Sequence, residues 1–107
     1  MAENNCWILY STFPSTEEAF SVANNLLEKR LIACANLIDQ VTSIYRWQGG
    51  ISQEKEVVMI AKTSEGRVQE AIKALAELHS YQLPSITAYP IKTGFEPYLQ
   101  WIKDETS

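Results

Sequence analysis

A chain of 107 residues, 46% of them hydrophobic, holds the material for one small core and reads as a single domain over residues 1–107. A formal charge of −4 repels phosphate backbones and argues against a nucleic-acid partner, and no stretch approaches the roughly 20 apolar residues that span a membrane. Residues 1–5 are polar and lack a secretion-signal pattern, and two cysteines without a CxxC pair read as reduced thiols, so the expected location is cytoplasmic.

The first apolar run, residues 6–13, is short and rich in aromatic and aliphatic side chains, as a buried central strand is; Pro14 ends it. Ser15-Thr16-Glu17-Glu18 fits a capping box and opens a helix. Ala19, Val22, Ala23, Leu26, Leu27 and Arg30 recur there at helical spacing, with Phe20 widening the apolar stripe and Lys29 and Arg30 suiting the C-terminal dipole.

Residues 34–62 then read as two long strands closed by Gln48-Gly49-Gly50, because glycine takes the positive φ of a tight hairpin turn. Each arm has about 14 residues and at about 3.3 Å per residue reaches about 45 Å. A helix of about 15 residues covers only about 23 Å. The hairpin must therefore project, and Ile44, Tyr45, Trp47 and Ile51 near its far end need a cover, most simply another copy of the chain. The two-residue alternation stumbles at Ile38-Asp39-Gln40, which predicts a β-bulge. Residues 57–61 are apolar on both faces and belong inside the domain.

Thr63-Ser64-Glu65 predicts a second helix with a hydroxyl cap and a core stripe of Val68, Ala71, Ile72, Leu75 and Leu78. Residues 79–84 connect it to a fourth strand over residues 85–89, with Pro90 arguing for a sheet edge. Gly94 breaks the chain, and Pro97 suits the first turn of a last helix with Tyr98 and Trp101 on one face. The order β-α-β-β-α-β plus a helix predicts an α+β fold, a ferredoxin-like two-layer α/β sandwich with two helices on one sheet face. The bare second face is another reason to expect an oligomer.

Four residues have metal-binding chemistry. His79 is the sole histidine and would need partner ligands; Cys34 would supply a soft thiolate. Glu54 and Glu56, two apart on a strand, share a face that could hold a hard cation, and Lys62 lies on that face by parity. Each has a structural counterpart: His79 as a helix cap, Cys34 as a small buried hydrophobe, the two acids as a solvated face. Tyr45, Trp47, Tyr81 and Trp101, with Lys62, either line a ligand cleft at a subunit boundary or pack the assembly. No phosphate loop, dinucleotide fingerprint or HExxH occurs, and one histidine supports no Ser/His/Asp set, so no catalytic residue is expected.

Taken together, Leu31-Ile32-Ala33-Cys34-Ala35-Asn36, Ser43-Ile44-Tyr45-Arg46-Trp47-Gln48-Gly49, Glu54-Lys55-Glu56, Lys62-Thr63, His79-Ser80-Tyr81-Gln82-Leu83-Pro84 and Tyr98-Leu99-Gln100-Trp101 resemble the CutA family of divalent-cation tolerance proteins. The resemblance implies a homotrimer similar in architecture to PII signalling proteins, a long hairpin that joins sheets between subunits, and no established catalysis. It implies Cu²⁺ or another divalent cation as the ion; a PII-like regulatory scaffold is the alternative. Ser11 stands where copper-linked members carry a cysteine, and Ser80 and Ser85 stand in place of the proline of a His-Pro-Tyr motif and the glutamate of a Pro-Glu pair.

Overall fold

Apolar alternation, interrupted by prolines and glycines, sorts the chain into strands and helices in the computed structural model, which describes residues 5–107. The elements are β1 (Cys6–Phe13), α1 (Thr16–Glu28), β2 (Cys34–Trp47), β3 (Gly50–Ser64), α2 (Glu65–Leu78), β4 (Ile86–Ile91) and α3 (Glu96–Glu105). They form one antiparallel sheet of order β2-β3-β1-β4, the expected ferredoxin-like α+β arrangement. β1 lies inside the sheet, and β4 is an edge, where the missing N–H of Pro90 costs least.

Alternation decides which side chains meet the helices. Leu9 and Phe13 of β1 and Val57, Met59 and Ala61 of β3 pack against Ala19, Val22 and Leu26 of α1 and Val68, Ala71 and Leu75 of α2. The Ser15 hydroxyl caps α1 by accepting from Glu18 N at 3.1 Å. The helix ends earlier than its charge pattern predicts, because Arg30 takes φ 59°. Arg30 N then donates to Leu27 O and Leu31 N to Leu26 O, a Schellman closure that draws Leu31 into the core. Lys29 and Arg30 thus lie beyond the last turn. Phe20, expected in the stripe, is 59% exposed, since α1 has turned it past the sheet; Leu78 also points outward.

α3 covers one end of the opposite sheet face, where Leu99 and Ile102 pack on Cys6 beside Ala33 and Ile91. Arg30 Nη1 donates to Glu105 O and Arg67 Nε to Thr106 O, tying this end to α1 and α2. The Ser64 and Thr106 hydroxyls are hydrogen-bonded to each other at 2.8 Å. Ser64 fills the cap position of α2 but makes no cap bond, and Thr63 stays in β3, donating to Leu31 O. The hydroxyl cap expected here is therefore spent on the packing of α3.

The hairpin closes through Gln48 at φ 50° and Gly49 at φ 83°, with Gly50 already paired to Trp47. It sets the long axis of the molecule, 49 Å against 25 and 22 Å. Val57, Val58 and Met59 are buried, whereas Ile44 and Ile51 are 67% and 75% exposed, so the apolar part of the arm does leave its own core.

Leu75→Ala should lower the unfolding free energy by about 2–5 kcal/mol in urea titration, the cost of a buried cavity. Phe20→Ala should change it by no more than about 0.5 kcal/mol, as exposed positions do.

Candidate functional site

A register break at the base of the arm builds the site. Ile38 pairs with Val58 and Val41 with Glu56, so Asp39 and Gln40 stand opposite Val57 alone. Gln40 takes φ 59°, and its N–H is held by Asp39 Oδ1 at 2.7 Å. One extra residue exchanges the faces of the strand. Before the bulge Cys34, Asn36 and Ile38 share a face with Lys62, Ile60 and Val58; after it Val41, Ser43 and Tyr45 share that face with Glu56, Glu54 and Ser52.

The exchange hangs hydroxyl donors on both carboxylates. Ser43 Oγ donates to Glu56 Oε1 at 2.7 Å, and Tyr45 OH donates to Glu54 Oε1 at 2.8 Å. Tyr81, in the connector after α2, donates to Glu56 Oε2 at 2.8 Å. Glu56 is only 8% exposed, so these donors replace water that its charge would otherwise lose. Burial and the Glu56 acceptor push the Tyr81 phenol well above its usual value, and the Glu54 acceptor raises Tyr45.

His79 holds Tyr81 in place. Its N–H caps α2 by donating to Leu75 O, and its ring stacks on Phe13 at 4.4 Å. Nε2 lies 2.7 Å from Thr12 O, to which it must donate, while Nδ1 accepts from Tyr81 N at 3.1 Å. The ring is therefore the Nε2–H tautomer. The 3.7 Å approach of Nδ1 to Glu18 Oε2 is no ion pair in this state, because Nδ1 carries its lone pair. Glu18 instead accepts from Ser80 N and Ser80 Oγ. Both ring nitrogens are engaged, so this conformation leaves His79 no lone pair for a metal.

The remaining residues lie elsewhere. Cys34 Sγ is 3.4 Å from Tyr98 OH, Lys62 Nζ is 5.9 Å from the centre of the Tyr98 ring, and Tyr98 stacks on Trp101. The Cys34 contact, then burial, push the Tyr98 phenol up to about 12. Lys62 lies six positions along β3 from Glu56, about 20 Å at about 3.3 Å per residue. Trp47 stands at the arm tip. His79, Cys34, Glu54 and Glu56 thus do not converge in one chain, and among the described residues no three His, Cys, Asp or Glu side chains are grouped to hold a metal. Parity put Glu54, Glu56 and Lys62 on one face correctly; it carries no information on their separation along the strand.

Ser11 lies beneath the helices, fully buried, with its hydroxyl unpartnered, so the position sits away from the carboxylate face. Ser43 was missed as a site residue, although counting parity through the bulge finds it. Glu18 meets Ser80 across 62 residues, and nothing local signals that contact.

The model of the CutA1 divalent ion tolerance protein family matches residues 7–105. The chain belongs to the CutA1 family. It is 37% identical over 99 residues to the divalent-cation tolerance protein CutA of Thermus thermophilus, covering 92% of this chain and 96% of that one. Human protein CutA is 39% identical over 97 residues, 91% of this chain, which spans 54% of that protein's length. Among solved structures, CutA of Xylella fastidiosa superposes with a TM-score of 0.94 at 34% identity, covering 96% of this chain and 99% of its own. CutA1 of Pyrococcus horikoshii superposes with a TM-score of 0.89 at 40% identity, covering 94% and 98%.

Tyr81→Phe leaves one oxygen of buried Glu56 without its donor and should cost about 1–3 kcal/mol in urea unfolding. Tyr98 keeps its proton in the folded chain up to about pH 12 but loses it near its ordinary value of 10 when unfolded. Stability should therefore fall as pH rises through that window, and Tyr98→Phe should remove part of the fall, read by denaturation at a series of alkaline pH values.

Proposed function

We propose that this CutA1-family chain acts without catalysis in tolerance of divalent metal ions, copper among them. It works as a homotrimer that holds the ion or a small ligand in clefts between subunits. The observation that carries the reading is the carboxylate pair of Glu54 and Glu56 at the base of an arm whose apolar far end is left uncovered by the described residues. Among the described residues the outer edges of β2 and β4 are also unpaired, and a second copy supplies both needs. In such a cleft the arm base of one copy, with Tyr45, Tyr81, Glu54 and Glu56, meets the α3 end of the next, with Cys34, Lys62 and Trp101, and Trp47 forms a wall. This unites clusters that one chain holds apart. Relatives named for divalent-cation tolerance support the ion.

The absence of catalysis is supported by His79, whose ring nitrogens are both committed to backbone groups. Among the described residues no helix is long and apolar enough to cross a membrane. Cys6 and Cys34, neither of them in a disulfide among the described residues, favour the cytoplasm, although relatives include a chloroplastic protein and a structure named as periplasmic. A second reading, a PII-like scaffold that affects tolerance indirectly, draws on the hydroxyl donors that occupy both oxygens of Glu56.

Sedimentation should give three times the 12.1 kDa chain mass, and Trp47→Glu should shift it to smaller species by burying an unpaired charge. Calorimetric titration of Cu²⁺ and Zn²⁺ should show binding weakened at least about tenfold in Glu54→Gln, the loss typical even of an outer-sphere partner. A lone copy in dilute solution removes the cleft. An intact trimer with no ion affinity favours the scaffold.

A further inference from the structure

The sole histidine sits at a junction that ion binding does not explain. The His79 side chain is fully buried between the end of β1, the first turn of α1 and the connector. Its Nδ1 has two neighbours of opposite character: the Tyr81 N–H, a donor, at 3.1 Å, and Glu18 Oε2, an acceptor, at 3.7 Å. Only a lone pair accepts from Tyr81, and only an N–H pairs with Glu18, so the two contacts exclude one another. The structure shows the first. The other groups that face the ring do not compete. β1 contributes the Thr12 carbonyl and the Phe13 ring, neither of which titrates. α2 contributes only Leu75 O to the cap. β3 and β2 reach the ring through Tyr81, by way of Glu56, Glu54 and Tyr45.

We propose that His79 is a proton-operated latch on Tyr81: a proton taken from solvent onto Nδ1 exchanges its contact with the Tyr81 N–H for one with the Glu18 carboxylate and loosens the Tyr81–Glu56 bond. Nε2 keeps its own hydrogen and its bond to Thr12 O, so the ring turns little and its other neighbour carries the change. Protonation sets two N–H groups head to head at Nδ1, and Tyr81 must withdraw. Glu18 turns from Ser80 N–H to the imidazolium, a charge-assisted bond in a water-poor place. The connector loses two of its anchors together, and the Tyr81 hydroxyl is one of two that hold Glu56. Acidification thus opens the base of the arm. The bearing of the latch on a bound ion rests on the function proposed above; the latch itself does not.

The test uses the ion-free full chain, so a failure of metal binding leaves it intact. With one histidine, two-bond nitrogen–proton NMR of the ring reports His79 without assignment ambiguity. The expected neutral-pH pattern is Nε2–H. On acidification the ring nitrogens, the Tyr81 amide and the Tyr81 ring signals should move with one midpoint, and Tyr81 amide exchange should quicken. In Glu18→Gln both the ring and Tyr81 midpoints should fall together, because the carboxylate that favours the cation is gone. In His79→Asn, whose amide oxygen takes the place of Nδ1 but does not titrate, the Tyr81 signals should hold still over the same range. A ring that charges while Tyr81 stays unmoved overturns the latch. So does a ring that never charges before the protein unfolds, or a Tyr81 response that persists in His79→Asn.

Discussion

Two residues of β2, Asp39 and Gln40, occupy the space opposite one residue of β3, and the chemical character of the projecting arm follows from that mismatch. A regular ladder would carry the even-numbered residues of β2 on the face of Glu56 all the way to the turn. Gln40, Thr42 and Ile44 would then stand opposite Glu56, Glu54 and Ser52, and Ser43 and Tyr45 would face the other way. The bulge puts Ser43 and Tyr45 there instead. It holds Gln40 in a left-handed conformation that glycine, asparagine and aspartate tolerate better, and the Asp39 side chain offsets part of that cost by accepting the Gln40 N–H.

Two like charges two residues apart on a strand repel, the more so where one is nearly buried. Ser43, Tyr45 and Tyr81 relieve the repulsion by donating three hydroxyl hydrogens. Tyr81 reaches its carboxylate only because the connector is pinned from behind, by Glu18 on Ser80 and by His79 between Thr12 and Tyr81. A helix of the covering layer thus positions a donor at the edge of the sheet it covers. At the other end, α3 brings Tyr98 against Cys34 and Lys62, and the two polar clusters stand on one sheet face with apolar Val58 and Ile60 between them.

Much of the fold was legible. The Ser15 cap, the glycine turn, the bulge, the interior place of β1 and the edge place of β4 all arise from rules that act over a few neighbouring residues. The misreadings share a cause. Phe20 sits beside a true stripe but outside its arc, Leu78 lies one turn too far along α2, and Ser64 gives its hydroxyl to Thr106 rather than to its own helix. Each was decided by what packs nearby. The site was less legible: the pairing of Glu54 with Glu56 follows from period two, but the gap between Cys34 and His79 depends on sheet register.

The sequence by itself determined the order of elements, the face each strand residue takes and the length by which the hairpin outruns its helices, because alternation, caps and turns are local and cumulative. Tertiary structure alone decided the tautomer of His79, the partner of Tyr81 and the company of Cys34. Those contacts join residues 67, 25 and 64 positions apart, and their distances are set by register and by the path of a connector around the sheet edge, which no short stretch of chain encodes.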